Sequence, residues 1–223
     1  MRFDKERFKV PEPSARVVVL TADQFEDFEL FVPYFRFMEE GFAVDVAGPA
    51  KEKITGENGY IFENVDLTFD EVDPKFYDLL FIPGGHPHGA PETVRKNRKA
   101  QEIARAFFQA DKPVAAICHG PYLLISADVI AGRRLTSYWG DGVPAEIKDA
   151  GGIYLDKDVV VDGNLVTSRW PMDLPAFMQE VMRMLRKTKH SSITQSEHQG
   201  GELAPTSSKN VYGVQINFPS NVE

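Results

Sequence analysis

Cys118 is the one cysteine in 223 residues, and it stands where a buried strand should turn into a helix. The segment reads Lys112-Pro-Val-Ala-Ala-Ile-Cys118-His119-Gly120-Pro121-Tyr-Leu-Leu-Ile125. Pro113 to Ile117 is a short apolar run, the pattern of a central parallel strand. Gly120 supplies a tight turn, Pro121 pre-sets a helical φ, and Tyr122 to Ala127 reads as helix. The cysteine therefore falls on the elbow, at a helix N-terminus. There, unpaired N–H groups and the helix dipole favour a thiolate over a thiol. This is the layout of a nucleophile elbow, with sulfur in place of a serine oxygen. Tyr138, Trp139 and Trp170 are candidates to line a pocket above it, a role that competes with plain core packing. His86 and His88 have no further ligand beside them, so they read as loop histidines and no metal site is expected.

An elbow of this kind needs a parallel sheet beneath it, and the rest of the chain supplies one. Ala15–Leu20, Phe42–Ala47 and Asp78–Ile82 are apolar, β-rich runs that read as strands. Leu30, Tyr34, Phe37 and Met38 recur at helical spacing up to a Gly41 cap, with Pro33 either in the first turns or at a kink. Lys53 to Asp70 alternates and suggests a short hairpin outside the main sheet. Pro91–Ala110 reads as one amphipathic helix, Leu135–Tyr138 as a short strand and Val143–Ala150 as a short helix. Val159–Val161 and Leu165–Thr167, joined by Asp162-Gly163-Asn164, form a hairpin. Asp173–Lys187 is a last amphipathic helix. Strands alternating with helices in this order predict an α/β fold with a mainly parallel sheet and helices on both faces. Residues 1–14 read as an extension, 15–187 as the domain and 188–223 as a polar tail. Within the tail, Val211–Phe218 alternates and is a candidate for an added edge strand.

A composition of 43% hydrophobic and 26% charged residues supports a sizeable core and excludes wholesale disorder. A net charge of −8 without a basic run argues against a nucleic-acid partner. One cysteine excludes an intramolecular disulfide framework and a cysteine-based structural zinc, and it fits a reducing compartment. No stretch reaches membrane-spanning length, and Met1–Arg16 has no apolar signal-peptide core. The expectation is a cytoplasmic protein with no membrane association.

Several segments together resemble the DJ-1/PfpI family, in particular its intracellular-protease-like PfpI branch. They are Leu20-Thr-Ala-Asp-Gln-Phe-Glu26-Asp-Phe-Glu-Leu30, Val65-Asp-Leu-Thr-Phe-Asp70, Phe81-Ile-Pro-Gly-Gly85, Ala115-Ala-Ile-Cys-His-Gly-Pro121, Thr136-Ser-Tyr138, and Val160–Asn164 with Ser168-Arg169. The resemblance spans about Arg16 to Arg186. It implies a flavodoxin-like three-layer sandwich of the class I glutamine-amidotransferase type. It also implies roles: Cys118 as nucleophile, Glu26 as the carboxyl bonded to its sulfur, and Gly85 with His119 as backbone donors of an oxyanion hole. His119 is further implied as a catalytic base, although adjacent side chains seldom face each other. Glu92 corresponds to a carboxylate that reaches that histidine from a neighbouring subunit. The His86-Pro-His-Gly89 insertion departs from the family pattern and puts that role in doubt.

Three chemistries follow from the resemblance. In the favoured one, Cys118 adds to the aldehyde of a 2-oxoaldehyde, proton transfer follows and a hydroxy acid leaves, a glyoxalase or deglycase activity with no cofactor. The second is a cysteine peptidase acting through an acyl-enzyme. The third is a redox or stress sensor in which Cys118 is oxidised. The partners implied are a small reactive carbonyl or a peptide, and further copies of the same chain in a homo-oligomer.

Overall fold

The structure is a computed structural model that describes residues 12–63 and 65–197. Its centre is a seven-stranded sheet. The strands are β1 (Arg16–Leu20), β2 (Ala43–Gly48), β5 (Leu67–Thr68), β6 (Leu79–Ile82), β7 (Val114–Ile117), β10 (Val159–Asp162) and β11 (Leu165–Ser168), in the order β10-β11-β7-β6-β1-β2-β5. Every pairing is parallel except that of β10 with β11. β6 and β7 are buried along their whole length, as continuous apolar runs covered on both faces should be. The helices are α1 (Asp27–Glu39), α2 (Ala90–Lys96), α3 (Arg98–Gln109), α4 (Pro121–Ser126), α5 (Val143–Asp149) and α6 (Leu174–Glu197). Strands and helices form the three-layer α/β arrangement, with the C-terminal ends of β1, β6 and β7 side by side. In open parallel sheets that edge is where sites form.

Where the elements depart from expectation, local chemistry gives the reason. The single helix expected over Pro91–Ala110 is two, because the Asn97 side chain accepts from the Ala100 N–H at 3.0 Å and starts α3 as an N-cap. The hairpin of β3 (Ile54–Thr55) and β4 (Ile61–Phe62) stands outside the main sheet as expected, but Leu67–Thr68 leaves it and pairs with β2. The strand expected at Leu135–Tyr138 stops at Leu135. It forms β8 (Arg134–Leu135), paired with β9 (Ile153–Tyr154). Thr136 instead turns its N–H to the Thr167 hydroxyl at 2.9 Å. α6 runs beyond Lys187 to Glu197, since no glycine or proline interrupts that stretch. Pro33 lies inside α1 rather than in its first turn.

Of the described residues, 12–188 belong to one compact unit and 189–197 to a second. The described strands and the site below belong to the first. The alternating segment Val211–Phe218 lies outside the described residues. No helix of the described residues is long and apolar enough to cross a membrane.

Candidate active site

Cys118 follows β7 directly and adopts φ 61°, a left-handed conformation that costs a non-glycine residue on the order of 1 kcal/mol. The surroundings fix it there. Its N–H donates to the Ser168 carbonyl at 3.1 Å, its own carbonyl accepts from Tyr138 N–H at 3.0 Å, and Gly120 N–H closes the turn on Ile117 at 2.8 Å. The thiol that results is buried, with 7% of the residue exposed. Burial, and then any negative charge on Glu29, push the Cys118 thiol well up; the backbone N–H groups of His119 and Gly85 act in the opposite direction. Burial thus works against the thiolate that the helix start favours, while the two donors and the short α4 behind them work for it.

The two donors are held by Pro83-Gly84-Gly85 at the end of β6. Gly85 has φ 143°, and a Cβ there would come within 2.3 Å of the Gln24 carbonyl. At Gly84 a Cβ would lie 2.6 Å from that of Cys118 and 2.9 Å from His119 N. Only glycine lets this turn press against the nucleophile.

The carboxyl beside the sulfur is Glu29, not Glu26. Glu26 is the N-cap of α1, and its Oε2 accepts from the Glu29 N–H at 2.7 Å. That places Glu29 one turn into the helix, fully buried. Its Oε2 accepts from Gly84 N–H at 2.8 Å, and its carboxyl lies within hydrogen-bond reach of the Cys118 thiol. Oε1 is buried without a protein donor. In such a buried place the neutral acid is favoured over the carboxylate. Burial and the adjacent Glu26 both hold the Glu29 pKa well above the usual range. Burial also pushes Glu26 up to about 7, against the Glu29 N–H that favours its charge.

On the other side of the sulfur, Sγ lies 3.3 Å from His119 Nδ1. The imidazole does face its neighbour, because the left-handed φ at Cys118 turns the two side chains toward one pocket. His119 Nε2 lies 3.1 Å from Asp141 Oδ2. A carboxylate can only accept, so Nε2 carries the hydrogen and Nδ1 presents a lone pair to the thiol. Burial lowers the His119 pKa, opposed by Asp141, so the ring is neutral and able to take a proton near pH 7. Asp141 sits in a strained turn, at φ 54° ahead of Gly142 at φ 78°. The Tyr122 hydroxyl donates to its carbonyl at 3.2 Å and steadies it.

Glu92 does not reach His119 within this chain. It pairs with Lys96 at 2.7 Å and stands 4.0 Å from Arg95, which binds Glu146 and lies over the Tyr122 ring. The His86–Gly89 insertion folds onto Gln24, with His86 N–H donating to the Gln24 carbonyl at 3.0 Å. It brings the His86 ring into the electrostatic neighbourhood of His119 and Glu57. Among the described residues no group of three or more His, Cys, Asp or Glu side chains is arranged to hold a metal. Tyr138 packs its ring 4.9 Å from His119, Trp139 follows Tyr138 at 4.8 Å, and Trp170 meets Trp139 at 5.2 Å.

Two residues of this constellation escape a reading of the sequence. Glu29 was signalled by the spacing Glu26-x-x-Glu29, the i to i+3 pattern of a helix start that would have assigned Glu26 to the cap. Asp141 carries no signal beyond a Gly-Asp-Gly turn.

The sequence profile of the DJ-1/PfpI family matches residues 15–184. A Pyrococcus abyssi deglycase is 53% identical over 171 residues, 77% of this chain and 99% of its own length. A putative cysteine protease of Bacillus subtilis is 38% identical over 174 residues, 78% of this chain and 99% of its own. Among solved structures, an Anabaena variabilis protein with DJ-1/ThiJ/PfpI-like and ferritin-like domains superimposes with a TM-score of 0.73 at 34% identity. The match covers 77% of this chain and 48% of that one. Fold, elbow and sequence agree: this chain belongs to the DJ-1/PfpI family.

Proposed function

We propose that the protein is a cofactor-independent cysteine enzyme that converts 2-oxoaldehydes such as methylglyoxal to 2-hydroxy acids. Release of the same aldehydes from their amine and thiol adducts, a deglycase activity, serves protection against carbonyl stress in the cytoplasm. The observation that carries the reading is the position of Sγ. It lies between an imidazole nitrogen of His119 and the buried Glu29 carboxyl, with two N–H donors converging on it.

The thiol proton passes to His119 Nδ1 as Sγ bonds to the aldehyde carbon. The oxygen that gains charge is held by the Gly85 and His119 N–H groups, a term worth ~3 kcal/mol per donor, and takes the proton back from the imidazolium. His119 then removes the hydrogen of that carbon while the Glu29 acid protonates the adjacent ketone oxygen, giving an enediol. Return of the His119 proton to the second carbon, with transfer of the first hydroxyl's proton to Glu29, leaves a thioester of the hydroxy acid. Water, deprotonated by His119, cleaves the thioester and frees the thiol. Every proton taken is returned, so no cofactor is needed.

The arrangement of His119 with Asp141 favours one second reading, a peptidase, and the named activity of the Bacillus subtilis relative accords with it. The burial of Cys118 weighs against it, since a peptide needs an open cleft. The test is to incubate the wild type and Cys118→Ser with methylglyoxal and, separately, with peptides. Lactate formed only by the wild type supports the carbonyl reading. Cysteine-dependent peptide cleavage without lactate would replace it with the peptidase.

The partner for the molecule as a whole is a second copy of itself. Phe28, Val32 and Phe35 on α1, with Tyr60 and Ile61 on the hairpin, are 42–65% exposed, and Phe31 packs against both Phe35 and Tyr60. A contiguous apolar face of this kind suits a self-complementary interface.

A further inference from the structure

The chain has two tryptophans, and both stand at the same corner. Trp139 and Trp170 meet edge to face at 74°, with ring centroids 5.2 Å apart. Each belongs to a segment tied to the backbone of the nucleophile. Trp139 follows Tyr138, whose N–H donates to the Cys118 carbonyl. Trp170 lies two residues beyond Ser168, whose carbonyl accepts from the Cys118 N–H. From His119 the rings continue outward through Tyr138 to Trp139 and Trp170 without a break. The two indoles are not core residues: Trp139 is 47% and Trp170 37% exposed. An edge-to-face corner with open faces receives another aromatic ring in the offset or perpendicular geometry that aromatic pairs prefer.

The charge around the corner narrows the class of ligand. Asp141, two residues on from Trp139, lies beyond His119 as the acceptor of its Nε2 hydrogen, and Glu57 is near enough to act on the thiol. The nearest guanidinium in sequence, Arg169, is bound to Asp156 and Asp173. A ligand carboxylate would meet repulsion here, whereas a neutral ring would not.

We propose that Tyr138, Trp139 and Trp170 form a specificity subsite that selects neutral 2-oxoaldehydes carrying an aryl group on the ketone carbon. The inference rests on the carbonyl reading above. The rings that run from His119, beside Sγ, through Tyr138 to the two tryptophans offer the ketone substituent of a bound aldehyde an aromatic surface to lie against. Methylglyoxal places only a methyl group there.

Two measurements test it. The first compares kcat/KM for phenylglyoxal and methylglyoxal in the wild type, Trp139→Leu and Trp170→Leu. The preference for phenylglyoxal should fall about tenfold in each variant, equivalent to ~1.4 kcal/mol; a preference unchanged within twofold in both would overturn the subsite. The second measurement needs no turnover. Cys118→Ser is titrated with phenylethanediol and with propanediol, neutral reduced analogues of the two aldehydes, while indole fluorescence is followed. The fluorescence reports on this corner alone because both tryptophans are in it. Saturation at a phenylethanediol concentration at least tenfold below that for propanediol is expected. Equal responses would overturn the proposal, as would a signal that changes only with protein concentration, which would mean that another copy covers the corner. Selective diol binding with no turnover of either aldehyde would retain the subsite and sink the carbonyl reading instead.

Discussion

At the scale of single residues, the site is a set of proton positions fixed by burial and by hydrogen bonds. Burial disfavours the charged forms of Cys118 and Glu29 and lowers the His119 pKa, and the Nδ1 nitrogen of that ring faces the sulfur. Asp141 sets that tautomer from the far side of the ring. Asp141→Asn should lower kcat/KM on the order of a hundredfold, within the usual range for a misoriented general base. The acid limb of its pH profile should also move to lower pH, because the carboxylate raises the His119 pKa and its loss removes that support. An unmoved limb would show that Asp141 does not govern the imidazole. The cysteine, the Gly85 turn and His119 were legible in the sequence because an elbow has a local signature. The carboxyl was misplaced by one helical turn, from Glu29 to Glu26, because two glutamates in one loop-to-helix junction look alike until the helix phase is known. Asp141, 22 positions from His119, meets it only through the fold.

At the scale of elements, the junction of β1 with α1 does the positioning. Glu26 caps α1, and Asp27 accepts from the Asn58 N–H at 2.8 Å and the Tyr60 N–H at 3.1 Å, clamping the β3–β4 hairpin over the helix start. Glu29 is thereby fixed against Gly84 and the thiol. The cap has a pH signature. Its folded pKa, about 7, exceeds the unfolded 4.5, so its contribution is fully present below pH 4.5 and is lost as the pH rises through about 7. Thermal melts of the wild type and Glu26→Gln across that window should show the wild type losing stability relative to the variant as pH rises. A constant difference would mean that Glu26 is not buried as described. Central strands were legible because both-face burial demands continuous apolar runs. Breaks set by single side-chain bonds, such as Asn97 dividing α2 from α3, were hidden within an otherwise periodic pattern.

At the scale of the whole molecule, α1 and the β3–β4 hairpin together expose aromatic residues. Phe28→Ser should shift the protein to smaller species in sedimentation velocity. An unaltered sedimentation profile would place any self-association elsewhere. Glu92 pairs with Lys96 and Arg95 within its own chain and would have to exchange those partners to reach the His119 of a neighbouring copy. The α/β sandwich was legible from the order of strands and helices, because connection rules leave few topologies. The aromatic face was not, since an exposed phenylalanine reads in sequence as one more core residue.

The central claim is that a Cys118 thiol flanked by a protonated Glu29 and a neutral His119 turns a 2-oxoaldehyde into a hydroxy acid. Its most direct test is lactate formation from methylglyoxal by the wild type, Glu29→Gln and Glu26→Gln under identical conditions. The account predicts that Glu29→Gln loses at least a hundredfold in kcat/KM, while Glu26→Gln stays within about tenfold of the wild type. Equal losses in both variants, or a larger loss in Glu26→Gln, would contradict it.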